Sequence, residues 1–218
     1  MEKLKKTDFE FVHDELYGTA LEVSKKFISR NDMRPVLNYA LHSDDGSIYA
    51  TDSHRLIHIK NIHGFKEEFL VSPKTLMFAK GKYPEINQLI EIDNHEKSIS
   101  LNKQQIKLWL QVLKSINQMI RVMKDYSKVA RFNFEDDSLS VEIPSQKVVM
   151  QLPTDQYEKI QGLDNISFNP EYLRDALEAH FKLNSEEMSI YFRGNMRPFA
   201  LDDGKRVKTI ILPVRTSY

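Results

Sequence analysis

Between Ile106 and Met123 the apolar residues Ile106, Trp109, Leu110, Leu113, Ile116, Ile120 and Met123 recur in steps of three and four, the spacing of one face of an α-helix. Such a face is stable only when another layer covers it, so the stretch from Lys103 to Arg131 demands a layered fold. The opposite face is cationic. Lys107, Lys114 and Arg121 stand seven residues apart and align along the helix, with Lys103, Gln111 and Gln118 in the same stripe and Lys124 beside it. Seven basic side chains and one acid, Asp125, fall between Lys103 and Arg131, although the 218-residue chain as a whole is formally neutral. Positive charge is therefore gathered on this helix and negative charge left elsewhere. Two readings of the face stand side by side: a solvated surface, or a surface that meets a polyanion without touching its bases.

The rest of the chain supplies the covering layer. FEFV reads as a short strand, and Leu16 to Ile28 as a helix with Leu16, Ala20, Val23 and Phe27 inward and Lys25, Lys26 and Arg30 near its end. Residues 34–41 (RPVLNYAL) and 47–62 (SIYATDSHRLIHIKNI) read as strands joined at Asp44-Asp45-Gly46, a strong turn signal. Ser72-Pro73 predicts the start of a short second helix, which ends near Gly81 and carries Lys74 and Lys80. Leu89, Ile90 and Ile92, then Ile99 and Leu101, suggest extended segments about the polar turn NHEK. After the long helix, RFNFE, LSVEI and KVVMQL alternate as strands. Asn169-Pro170-Glu171 opens a further helix with Tyr172, Leu173, Ala176 and Leu177 inward, and MSIYF and VKTIILPV close the chain as strands. This order recurs in two halves and predicts an α+β fold: two similar domains, residues 1–95 and 96–218, each with helices on one face of antiparallel sheets. The helices of both halves carry basic outward faces, which can line one surface.

Several function classes are excluded or unsupported. The chain has no Cys, which removes disulfide scaffolds, thiolate zinc sites and cysteine nucleophiles. Its seven Gly are few for a fold built on glycine-rich phosphate loops, and GxxxxGK[ST], GxGxxG and HExxH are absent. No signal-like or bilayer-spanning apolar run occurs, so a soluble cytoplasmic protein without a membrane partner is expected. ATDSHRL, residues 50–56, brings Asp, Ser and His together, but on a strand Ser53 points away from Asp52 and His54, which argues against a triad. A hydrolase built on His54 is the catalytic alternative. His54 and His58 would share a strand face without a nearby carboxylate or thiolate to complete a metal site. The pairs Asp44-Asp45, Asp136-Asp137 and Asp202-Asp203 lie at strand-joining turns, where Asp is favoured for turn chemistry. No enzymatic activity, metal or cofactor is expected.

ATDSHRL, and LPVR near the C-terminus, resemble segments of the bacterial sliding clamp, the β subunit of the replicative DNA polymerase, whose middle domain carries ATDGHRL and whose last domain ends in a Pro-Met-Arg-like tail. RPVLN, SPKTL, GKYPE and SFNPEYLRDAL agree as well, in the same order. The resemblance covers nearly the whole chain and aligns it with the family's middle and last domains, without the first. Three departures stand out. Ser53 replaces a Gly; Thr216, Ser217 and Tyr218 extend the tail; and SPKTLMFAKGKYPE passes almost directly to the domain junction, where the family has an intervening strand pair.

The resemblance implies binding rather than catalysis. Family helices line a hole with basic side chains that meet duplex DNA without sequence preference. Lys25, Lys26, Arg30, Lys74, Lys80, Lys103, Lys107, Lys114, Arg121 and Lys124 are the implied DNA-facing residues. The family also holds short peptides of polymerases and clamp loaders in an apolar pocket between its middle and last domains. Position by position, that pocket draws on Leu37, Thr51, Ser53, His54 and Leu56 from the first half, and on Pro198, Ile210, Leu212, Pro213, Val214 and Arg215 from the second. Some of Leu37, Leu56 and Ile210 can equally be ordinary strand core. Two domains per chain imply a homotrimer if a ring of six domains is to close. The alternative is a clamp homologue that has kept the pocket and lost the ring, a decoy or modulator of replication proteins.

Overall fold

A computed structural model describes residues 11–31, 33–86, 98–155 and 157–215. Among these residues three α-helices, α1 (Tyr17–Phe27), α2 (Lys103–Val122) and α3 (Pro170–Lys182), lie against two antiparallel sheets. The strands are β1 (Ala40–His42), β2 (Ile48–Thr51), β3 (Arg55–Ile59), β4 (Phe69–Val71), β5 (Phe78–Ala79), β6 (Ser98–Asn102), β7 (Ala130–Phe134), β8 (Leu139–Ile143), β9 (Val148–Gln151), β10 (Asn165–Phe168), β11 (Glu187–Tyr191), β12 (Phe199–Asp202) and β13 (Val207–Ile211). Nine of them form one sheet in the order β5-β4-β1-β2-β3-β13-β12-β11-β6, and four form a second, β10-β7-β8-β9.

The second half of the chain repeats one pattern twice: a strand, a helix, then three strands. In each repeat the leading strand crosses to the other repeat's sheet, so that β6 pairs with β11 and β10 with β7. The first half contributes α1 and β1–β5 to the large sheet, joined to the second half through β3 and β13, where Leu56 faces Ile210 and Ile57 faces Thr209. Alternation along these strands sends Ile57, Ile59, Val207 and Ile211 inward to the helices, and Leu56 and Ile210 to the opposite face.

Beneath the helices, one apolar core unites all three with both sheets. Its centre is aromatic: Phe132 and Phe168 lie 4.4 Å apart, with Phe192 and Phe199 edge-on to Phe132. Trp109 is fully buried there, and its Nε1 donates to the Pro153 carbonyl at 2.8 Å. The predicted face of α2 is buried from Ile106 to Ile120. Asn102 and Gln105 form a reciprocal capping box at its start, and Asn169 with Pro170 starts α3 as expected.

Four elements differ from the sequence expectation. The long helix stops at Val122, because Lys124 turns left-handed (φ +53°), and Met123 is exposed instead of closing the apolar face. Pro35–Asn38 is a 3₁₀ turn, so the predicted strand 34–41 begins only at Ala40. Residues 47–62 are two strands with a tight turn at Asp52–His54, where Ser53 has φ +78°. A left-handed backbone suits Gly, which is the residue of the resembling motif at that position. Finally, no second helix forms after Ser72. Ser72 does cap one turn, its Oγ accepting from the Thr75 N–H, but Leu76 at φ +58° ends it and Phe78 joins β5 opposite Val71. An eight-residue helix is marginal alone, whereas Phe78 gains a ladder and ring contacts with Phe65 and Phe69. The FEFV strand lies partly outside the described residues, and Leu89, Ile90, Ile92 and NHEK lie wholly outside them.

Three buried histidines give the fold a defined response to acid. Burial lowers His42 to about 3, His58 to about 4 and His180 to about 4. The unfolded chain takes up protons at these sites from about pH 6.5 downward, while the folded chain does not until near pH 4. Stability therefore falls as the pH is lowered, by about 1 kcal/mol per histidine between pH 6.5 and 5.5. Urea unfolding followed by fluorescence of the single Trp, Trp109, is expected to show that shift; an unchanged midpoint would mean that the three rings are solvated.

Candidate functional site

Two surfaces carry the chemistry. The first is the exposed face of the helical layer. Along α2, Lys107, Gln111, Lys114, Gln118 and Arg121 are all exposed, as are Lys124 and Lys128 just beyond its end. Lys103 is held by Glu186 at 2.6 Å, but among the described residues Lys107, Lys114, Arg121 and Lys124 form no ion pair. α2 packs on α3, and α3 on α1. Where the three meet, Lys26, Lys114, Gln118, Arg121 and Arg174 line an open cleft of ≈ 600 Å³, with Glu178 its acid. A second cleft, ≈ 290 Å³, opens between the end of α2 and the start of α3 and adds Lys124 and Lys128 to Arg121 and Arg174.

The predicted DNA-facing residues divide on this geometry. Lys107, Lys114, Arg121 and Lys124 share the helical face with Lys103 at its beginning. Lys26 borders it but is bonded to Glu178 at 2.6 Å and lies 3.5 Å from Asp175, while Lys25 and Arg30 are exposed on or just after α1. Lys74 and Lys80 do not belong to a helix. They sit on the β4–β5 hairpin at the end of the nine-stranded sheet, with Lys80 bonded to Glu67 at 2.6 Å. Arg174 and Lys128, missed from sequence, line the clefts. Arg174 had a signal in its place two residues beyond Tyr172 on the predicted α3; Lys128 had only its position after the helix.

The second surface surrounds the turn of ATDSHRL. Asp52 Oδ1 accepts from the His54 and Arg55 N–H groups at 2.9 and 3.1 Å, and Thr51 Oγ1 donates to the Arg55 carbonyl at 2.7 Å. Asp52 and Thr51 are thus turn formers, and it is this turn, not an alternating strand, that places Ser53. Arg55 ties the turn to the helices. Its guanidinium bonds Asp52 at 3.0 Å, Asp175 of α3 at 2.7 Å and the Lys26 carbonyl of α1, and it lies between the rings of Phe27 and Tyr172. Asp175, 3% exposed, also accepts from Arg174 at 2.7 Å. No local pattern marks Arg55, because its partner Asp175 lies 120 residues away.

The C-terminal segment runs beside this turn. The Leu212 N–H donates to the His54 carbonyl at 2.9 Å, and the Val214 N–H to the Ser167 carbonyl at 2.8 Å, so the tail crosses from the large sheet to β10. Ser53, His54, Leu212 and Arg215 are exposed, and Thr51, Pro198, Pro213 and Val214 half-buried. Leu37, Leu56 and Ile210 are different. They are buried in a second apolar cluster on the outer face of the large sheet, with Leu41, Tyr49, Leu70 and Ala200, covered by Tyr83 and Ile86. The predicted pocket therefore has an accessible rim and a closed floor. Thr216, Ser217 and Tyr218 lie outside the described residues.

The catalytic alternatives gain nothing from this geometry. His54 is exposed at the turn, whereas His58 is buried against Tyr49, their ring centroids 4.4 Å apart, so the two do not form a pair. His180, Ser185 and Asp203 are linked by 3.1 and 2.7 Å contacts, but Ser185 stands in the middle of the relay and is buried. Among the described residues no group of three His, Asp or Glu side chains could hold a metal ion, and no helix is long and apolar enough to cross a membrane. Asp45, Asp136, Asp202 and Asp203 serve turns or ion pairs.

No family model matches the chain. Among curated proteins it is similar to the β sliding clamp of Bacillus subtilis, 35% identical over 161 residues, and to that of Streptococcus pneumoniae, 30% identical over 145 residues. These matches take in 68% and 63% of this chain and only 39% and 35% of the relatives, so the matched segments span well under half of the relatives' length. In fold it matches the DNA polymerase sliding clamp of Bacillus subtilis with a TM-score of 0.74 at 21% identity, over 99% of this chain and 67% of that one. The Helicobacter pylori β clamp, solved bound to a DNA ligase peptide, matches with a TM-score of 0.67 at 16% identity, over 94% and 64%. The resemblance read in the motifs is borne out, and the α+β architecture is that of the sliding clamps.

Proposed function

We propose that this chain is a nonenzymatic, cytoplasmic clamp-like processivity factor that encircles duplex DNA without sequence preference and holds polymerase-type peptides at the rim formed by its ATDSHRL turn and LPVR tail. The observation that carries the reading is the cationic face of α2, where Lys107, Lys114, Arg121 and Lys124 have no partner acid among the described residues, beside Arg174 of α3 on the helical side of a clamp fold. Cations spaced along a helix and free of partner acids are disposed to displace counterions from phosphates. Residues 1–95 and 96–218 are read as two clamp-like units, with the boundary between Tyr83 and Asn102. Each chain covers two-thirds of the solved Bacillus subtilis clamp, and three such chains, joined head to tail through strands such as β5 and β9, which are edges among the described residues, would close a ring.

Binding to unrelated duplexes of equal length tests the DNA reading. Equal affinities and a linear fall of log K with log salt are expected. Discrimination among sequences that persists at high salt would contradict a phosphate-only contact.

A further inference from the structure

Beyond Arg121, the last cation of α2, the stripe runs into a loop that carries Lys124, Tyr126 and Lys128 within five residues. This loop is built, not frayed. Asp125 accepts from the Ser127 N–H at 2.9 Å and from the Ser127 hydroxyl at 2.6 Å, and a bond from the Ser145 hydroxyl fastens it to the 3₁₀ turn after β8. Lys124 and Lys128, on either side, turn left-handed at φ +53° and +48°. The one carboxylate of the loop is thus occupied within it. Tyr126 is left 87% exposed, with no hydrogen bond or ring contact among the described residues.

Together with the start of α3 the loop encloses the ≈ 290 Å³ cleft. Asn117 holds the two sides together, its Nδ2 donating to the Leu113 carbonyl of α2 at 2.7 Å and to the Pro170 carbonyl of α3 at 3.0 Å. Arg121, Lys124, Lys128 and Arg174 face Asp125 and Glu171 across it, and Glu171 is bonded to Arg174 at 3.2 Å. A duplex offers phosphates and keeps its base faces stacked inside, so the basic stripe alone can hold it and an exposed ring adds nothing. An unpaired nucleotide offers a phosphate and a bare base face together, and takes cations beside an aromatic platform. The volume of the cleft is near the lower limit of about 300 Å³ for small-ligand sites, which admits one nucleotide and excludes a duplex.

We propose that this cleft holds an unpaired nucleotide of DNA at the end of a duplex, with Arg121, Lys124, Lys128 and Arg174 around its phosphates and Tyr126 stacked on its base. The inference rests on the DNA-binding reading above and adds to it a preference for junctions between duplex and single strand. Arg121 lines this cleft and also the one that opens onto Lys114 and Gln118, so a strand leaving a duplex on α2 has a cationic path into the site.

The test is fluorescence anisotropy with a blunt hairpin duplex and with the same hairpin carrying a short single-stranded thymine tail. The tailed hairpin is expected to bind about ten-fold more tightly than the blunt one, and a fluorescent adenine analogue placed as its first unpaired base to be quenched on binding. Tyr126→Ala is expected to abolish both the preference and the quenching, and Tyr126→Phe to keep both. Neither should change affinity for the blunt hairpin, and the exposure of Tyr126 leaves the fold undisturbed. Equal binding of the two hairpins by the unmodified chain, or a preference that persists in Tyr126→Ala, would overturn the cleft while leaving the grip on duplex intact. Competition by free thymidine monophosphate as strong as by the tail would make the cleft a mononucleotide site and overturn its link to the strand. Absence of binding to either hairpin would remove the duplex reading, and the cleft with it.

Discussion

Replacing Lys107, Lys114 and Arg121 together with glutamate is expected to lower affinity for a short duplex by about 10³-fold near 0.15 M salt, and to reduce the slope of log K against log salt by about three. Each of these side chains is exposed on α2, and among the described residues none is neutralised by an acid. Loss of each phosphate contact removes one counterion-release contribution, and the reversed charge adds repulsion. The fold should survive, because the substituted side chains project from the face opposite Ile106, Trp109, Leu113 and Ile120. Electrophoretic mobility at several salt concentrations checks the result. An unchanged slope would make the stripe a merely solvated surface.

Asp175→Ala has the largest expected effect on stability, a loss of about 3–5 kcal/mol. Asp175 is 3% exposed and collects Arg55 at 2.7 Å, Arg174 at 2.7 Å and Lys26 at 3.5 Å. Removing it leaves the Arg55 guanidinium, 9% exposed, with Asp52 alone, in a site already shielded by Phe27 and Tyr172. The charge is then poorly compensated where water cannot reach it. Urea unfolding should show a lower midpoint with an unchanged m-value. The double variant Arg55→Met with Asp175→Leu is expected to recover part of the loss, since it removes both buried charges rather than one. A loss below about 1 kcal/mol for Asp175→Ala would place the network among ordinary surface ion pairs. The network also fixes the turn of ATDSHRL against α1 and α3, so groove geometry and stability are coupled through Arg55.

The elements legible in the sequence are those set by local pattern. The buried faces of α2 and α3, their caps at Asn102 and Asn169, and the strands after α2 depend on neighbours within a few residues, and all are present. Where two local signals compete, the sequence does not show which one prevails. Ser72-Pro73 does begin a turn, but pairing of Phe78 with Val71 turns the next residues into a strand rather than a helix. The same limit applies to function. The α2 stripe was visible as periodic charge, while the Arg55–Asp175 contact and the covering of Leu56 and Ile210 by Tyr83 and Ile86 arise only when distant segments meet. Lys74 and Lys80 lie on the β4–β5 hairpin instead of the helix expected for them, which separates them from the α2 stripe. Ser53 is instructive in another way: its left-handed backbone accounts for the Gly in the motif it resembles.

Copies of this chain that enclose DNA differ from copies that merely adhere to it in their retention on nicked circular DNA, compared with the same DNA linearised and washed at high salt. Enclosure predicts protein that stays on the circle and runs off the linear form, with a native mass of three chains. Equal loss from both forms, with a monomer mass at high concentration, would contradict it.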